Sequence, residues 1–181
     1  MILGIDTAAN QCAVALVDGE RVWRRAEAMA RGHAEALFPM IDAVLAESGT
    51  TIQHITRIGV CTGPGSFTGV RIGVAAARGL SLGLSVPAIG VTRFEALRTS
   101  GDHSVSVPGR GGEIIVQDFG PDGRPSGAPR IETGESAERT IDPAWLAQLA
   151  AGKASDLRPA PVYLRPADAA PSRERPPVML D

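Results

Sequence analysis

Cysteine is scarce in this chain, with two residues, Cys12 and Cys61, among 181. They are far apart and set in apolar stretches. That is the usage of a reducing compartment, where Cys is a small buried hydrophobe and a disulfide is not expected. Clustered Lys and Arg are lacking too. With a net charge of −2 and a pI near 5.9, there is no basic patch of the kind that grips phosphate backbones, which argues against a protein that holds nucleic acid by itself. No apolar run reaches the ~20 residues of a membrane-crossing helix. Met1–Asp6 has neither a basic flank nor a long apolar stretch, so no signal peptide is expected and the default location is cytoplasmic. Histidine is limited to His33, His54 and His103. None is spaced with another as paired ligands on one helix face, so neither a metal nor a cofactor is expected.

What is present is an ordinary globular composition, 44% hydrophobic and 21% charged, in a chain long enough to bury a core as one domain or a large and a small lobe. Ile2–Asp6, Cys12–Val17 and Arg21–Ala28 read as three strands, with a hairpin signal at Asp18-Gly19, and so form a meander. A helical pattern runs from His33 to Glu47 and stops at Ser48-Gly49. Pro39 inside it predicts a kink. Arg57–Thr62 is a strand, Thr68–Leu84 a long helix, and Val86–Val91 a strand, after which Thr92 caps a short helix. A meander followed by two strand–helix units is the order of an α/β, ribonuclease-H-like lobe with parallel pairing. After Gly101 the pattern weakens. Glu113–Phe119 reads as a strand, Pro121-Asp122-Gly123 as a turn, and Asp142-Pro143 opens a helix through Ala151. From Leu157 onward Pro recurs too often for helix or central strand, which predicts an extended tail whose one apolar docking patch is Val162-Tyr163-Leu164. The expected division is 1–100, 101–157 and 158–181.

Both long helices are apolar beyond one stripe. The first carries Ala36, Met40, Ala43 and Val44 besides Ala34, Leu37, Phe38, Ile41 and Leu45. The second has only Arg71 and Arg78 as charges and holds Gly69, Gly73, Gly79 and Gly83. Each mid-helix Gly costs roughly 1 kcal/mol against Ala, so close approach of another element must offset the weakness. The short remainder of the chain leaves little to cover both helices, so a partner surface is expected there.

The strand-to-helix loop Thr62–Gly69 aims backbone N–H groups where an anion could sit, but it has no P-loop Lys and its third Gly falls one residue late for a dinucleotide fingerprint. Pro64 removes one donor. Asp6-Thr7 closes the first strand, yet Ala8-Ala9 follow where Gly would let a phosphate approach. Asp6, Thr7, Gly63, Gly65 and Ser66 are therefore read as a vestigial anion or nucleotide site at most. Ser66 lacks the flanking glycines of a nucleophile elbow. His33, at the start of the first helix, reads as a capping or packing residue. No catalytic residue is assigned.

Ile5-Asp6-Thr7, His33-Ala34-Glu35 with Leu37-Phe38-Pro39, the run Gly63–Gly73, Gly79-Leu80, Pro87–Val91 and Pro161–Arg165 together resemble the glycoprotease-related family of bacterial tRNA threonylcarbamoyladenosine biosynthesis proteins, TsaB or YeaZ. The resemblance is dense over the first hundred residues. It implies the actin/Hsp70/sugar-kinase fold, and a non-catalytic subunit that binds a catalytic paralogue of TsaD type through its first two helices. The paralogue would carry the metal and transfer threonylcarbamoyl to the adenosine beside the tRNA anticodon. The resemblance also implies a separate ATPase of TsaE type, tRNA met only through the complex, and a homodimer as the alternative when the partner is absent. On this reading the partner face runs through His33, Leu37, Met40, Ile41, Val44, Val70, Arg71, Val74, Ala77 and Arg78. The departure lies in the second lobe, where Pro108–Glu113 replaces an expected Asp-led segment and the chain is short, so that lobe is expected to be reduced. Two other classes remain: a phosphotransferase of the same superfamily, hinted at by Asp6, and a metallopeptidase, which the missing histidine pair disfavours.

Overall fold

The computed structural model describes residues 1–154 and 158–164. The rest of the expected tail, 165–181, and Leu157 lie outside the described residues. β1 (Ile2–Asp6), β2 (Gln11–Asp18) and β3 (Arg21–Ala28) form the antiparallel meander, and β4 (Arg57–Cys61) and β5 (Ala88–Val91) extend it in parallel, giving the order β3-β2-β1-β4-β5. This is the ribonuclease-H-like arrangement of the actin-like α/β fold. α1 (His33–Ser48) runs unbroken through Pro39 and ends at Gly49, whose φ of 67° lets its N–H reach Ala46 O while Thr50 N–H reaches Leu45 O.

Side-chain alternation along β1 assigns the two faces of the sheet. Leu3 and Ile5 point toward α1 and α2 (Phe67–Leu84), where Gly73 packs on Ile5 and Val60. Gly4 points the other way, toward α4 (Pro143–Ala151). A Cβ on Gly4 would stand 2.1 Å from the Pro143 carbonyl oxygen, and one on Gly59 would stand 2.7 Å from Ala150 Cβ. The two strand glycines are thus the sequence feature that lets α4 lie against the sheet. α4 was expected within a 101–157 lobe. Instead it covers the first sheet, burying Ala144, Leu146, Ala147 and Ala150.

A second, three-stranded antiparallel sheet is formed by β6 (Ser104–Pro108), β7 (Glu113–Phe119) and β8 (Pro125–Thr133). Val105, Val107 and Phe119 pack with Phe94 of α3 (Arg93–Leu97). Only β7 was foreseen. β8 carries Pro125, Gly127 and Pro129, which argue against a central strand but are compatible with the sheet edge it occupies. Among the described residues no helix is long and apolar enough to cross a membrane.

Candidate functional site

Two loops meet beside the ends of β1 and β4, and their backbone groups bind each other. Ser66 N–H donates to Ala8 O at 2.8 Å, and Ala8 N–H donates to Asp6 Oδ1 at 2.9 Å. Gly69 N–H donates to Ser66 Oγ at 3.2 Å, which makes Ser66 the N-cap of α2. Thr7 Oγ1 donates to Gly69 O at 2.7 Å, and the loops approach so closely that a Cβ on Gly65 would stand 2.0 Å from Ala8 O. Gly63, at φ 87°, accepts from Arg93 N–H through its carbonyl.

Asp6 and Thr7 are fully buried. Besides Ala8 N–H, the Asp6 carboxylate accepts from Gln11 Nε2 at 2.8 Å, and that amide also donates to Ile141 O. Burial pushes the Asp6 carboxyl above its usual range, against the pull of Gln11, Ala8 N–H and the Arg93 charge. Burial also raises both thiols, Cys12 to about 11 and Cys61 well above its ordinary value, with the charge of Asp6 adding to each. These thiols stay protonated at neutral pH and behave as core side chains.

Between the lobes lies a cleft of about 790 Å³. Its floor is the pair of loops, Ala8–Asn10 and Pro64–Phe67. Its walls are Arg93, the β6–β7 turn, Ile115 and Ile131, and Val162–Leu164 closes one side. Among the described residues the lining contains no His, Cys, Lys or Asp, and its carboxylates are Glu113 and Glu138. Arg93, 2% exposed, is tied to the Glu138 carboxylate and donates to Arg139 O at 2.9 Å. Ser66 Oγ is used within the chain as the N-cap acceptor for Gly69 N–H. Among the described residues no three His, Cys, Asp or Glu side chains stand close enough together to hold a metal ion. Sequence reasoning missed Arg93, because nothing local marks a short helix's first residue as a buried cation.

The second feature is the pair of long helices. Leu37, Met40, Ile41, Val44, Val70, Val74 and Ala77, expected on the partner face, are buried in the chain's own core. His33 is buried as well, with Nε2 unpartnered among the described residues. The correction has a simple cause: the apolar positions at core spacing are those needed to cover the sheet. Only Arg71 and Arg78 of the expected set are exposed, and both bind the C-terminal segment. The solvent face of α2 is instead Phe67, Arg71, Ala75, Arg78, Gly79, Leu82 and Gly83, and that of α1 includes Ala34, Phe38, Pro39 and Ala46. Leu82 is 82% exposed and Phe38 48%. The α2 glycines divide accordingly. Gly69 and Gly73 are pressed against Thr7, whereas a Cβ on Gly79 or Gly83 would meet nothing within 4 Å among the described residues.

Known proteins agree with this architecture. The chain is 24% identical to a solved Pseudomonas aeruginosa protein described as similar to the peptidase YEAZ, with a TM-score of 0.76 over 91% of this chain and 99% of that one, which bears on fold alone. YeaZ from the same organism matches at 28% identity and TM-score 0.63 over 78% of this chain and 71% of that one. The tRNA threonylcarbamoyladenosine biosynthesis protein TsaB of Escherichia coli K12 is 45% identical over 91 residues, 50% of this chain and 39% of the relative. TsaB of Haemophilus influenzae is 36% identical over 96 residues, 53% of this chain and 41% of the relative. The matched stretch thus spans about two-fifths of these curated relatives. The family model for TsaD, tRNA N6-adenosine threonylcarbamoyltransferase, matches residues 26–119, just over half of the chain. The two curated relatives just described carry the name TsaB, and the protein belongs to the TsaD family.

Proposed function

We propose that the chain is a non-catalytic subunit of a cytoplasmic complex that places threonylcarbamoyl on the adenosine beside the tRNA anticodon, and that it acts by pairing with a catalytic paralogue of TsaD type. An ATPase of TsaE type joins the complex, and tRNA is met through it. The observation that carries this reading is the outward face of α2, where Ala75, Gly79, Leu82 and Gly83 are exposed and no side chain of the described residues stands over the two glycines. Small residues on an open helix face permit the close backbone approach of another helix, which offsets their cost in helix stability. Phe38 on α1 adds apolar area to the same outward layer.

A phosphotransferase would need the Asp6 carboxylate turned toward a nucleotide. Here it is spent on Ala8 N–H and Gln11, which supports reading Asp6, Thr7, Gly63, Gly65 and Ser66 as a vestige.

Co-purification with the TsaD-type paralogue from the same genome, followed by a threonylcarbamoyl-transfer assay with and without this chain, tests the proposal. The expected result is a stable complex, with transfer detected only when this chain is added. Turnover by the isolated chain, or full transfer by the paralogue without it, would contradict the reading.

A further inference from the structure

The two arginines of α2 face outward, yet both are fixed in place. Arg71 Nε donates to Tyr163 Oη at 2.7 Å, and its guanidinium lies 3.7 Å above the Phe67 ring and 5.5 Å from that of Tyr163. The rings of Phe67 and Tyr163 pack at 5.6 Å with a 40° tilt. Arg78 Nε donates to Pro159 O at 2.7 Å, and Val162 N–H donates to Thr62 O at 2.9 Å, so the segment Pro159–Tyr163 is stitched along the helix. Among the described residues neither arginine is ion-paired with a carboxylate. Phe67 and Tyr163 remain 45% and 49% exposed.

We propose that Arg71, Arg78, Phe67 and Tyr163 form a docking patch for a protein helix that carries two carboxylates about two turns apart, and that the C-terminal segment Pro159–Tyr163 is therefore part of the partner interface. This deepens the pairing proposed above and rests on it. Arg71 and Arg78 are seven residues apart, about 10 Å along the axis, so carboxylates at the same spacing on an adjacent helix meet both. Each guanidinium is held through Nε, which leaves its outer fork for a carboxylate and removes much of the side-chain entropy that weakens surface ion pairs. Aromatic rings and Arg at the rim of a small, apolar stripe are the composition of protein–protein hot spots. Ala75, between the arginines, and Gly79, just beyond Arg78, leave room that a helix fills and a phosphate backbone does not require.

Calorimetric titration of the full chain with the TsaD-type paralogue tests this, using wild type, R71E/R78E, Arg71→Lys and Tyr163→Ala at low and high salt. Melting temperatures should fall only slightly for R71E/R78E, since both side chains are exposed and what is lost inside the chain is their contacts to Pro159, Tyr163 and Phe67. Expected are a loss of about thirtyfold for R71E/R78E with most of the salt dependence gone, a smaller loss for Arg71→Lys because the fork is removed, and about fivefold for Tyr163→Ala. R71Q/R78Q provides the same reading if charge reversal disturbs folding. Affinities within twofold of wild type for the double variants, or tighter binding by Tyr163→Ala, would overturn the proposal while leaving the pairing intact. Unchanged paralogue affinity with lost tRNA retention would assign the patch to RNA and also overturn it. No binding by wild type would sink the parent reading instead.

Discussion

The two ends of α2 use glycine in opposite ways. At the N-terminal end, Gly69 and Gly73 are squeezed against Thr7 in the turn that follows β1. At the C-terminal end, no described residue approaches Gly79 or Gly83. The first pair is explained by the chain's own fold, because only a hydrogen fits between helix and turn. The second pair has no such explanation within the described residues, and it weakens the helix without an internal return. That contrast separates a face built for folding from a face available to a partner.

Substitutions across the helix should sharpen the contrast. The largest effect is expected from Val74→Glu, since Val74 is 3% exposed and packed in the core. Burying a charge there should cost about 4 kcal/mol or abolish folding, read by urea unfolding. Next comes Gly69→Ala, whose Cβ would stand 2.0 Å from the Thr7 carbonyl oxygen. Backbone cannot yield as a flexible side chain can, so a loss of about 3 kcal/mol is expected. Gly79→Ala should reverse the sign and stabilise the isolated chain by roughly 1 kcal/mol, while weakening partner pairing. A destabilised Gly79→Ala would show that this face is already covered within the chain and would break the comparison.

The smallest effect concerns the turn against which the inner glycines pack. Burial raises the Asp6 carboxyl above its ordinary value, so the folded state holds that proton more tightly than the unfolded one. Stability must then decline as pH rises through the window between the unfolded value and the raised folded one. Asp6→Asn removes this dependence. Melting temperatures taken from about pH 4 to about pH 8 should rise for the variant relative to wild type as pH increases. A parallel pair of curves would show that Asp6 titrates normally.

Much of the first sheet was legible because its signals are local: the Asp18-Gly19 turn, the Gly49 helix stop and the Asp142-Pro143 helix start all lie where they were read. Membership of the family was legible from Gly63–Gly73, whose residues are fixed by contacts between two loops. Other features depend on tertiary context. β6 has alternating Val105 and Val107 but is only five residues long, and β8 looks unsuitable until its edge position is known. The placement of α4 was readable only from Gly4 and Gly59, each a lone glycine within an apolar strand. The partner face was misdrawn because periodicity identifies an apolar stripe without saying whether the sheet or a second protein covers it. Asp6 at a strand end suggested chemistry, and only its partners, Ala8 and Gln11, show that its oxygens are committed.

The central claim is that the outward face of α1 and α2 pairs with the catalytic paralogue. Calorimetric titration of that paralogue with a full chain carrying Ala75→Glu and Leu82→Glu tests it most directly, because both positions are exposed and the fold should be kept. The account predicts a wild-type melting curve and a loss of affinity of at least about a hundredfold. A doubly charged chain that melts normally and still binds as wild type does would contradict it.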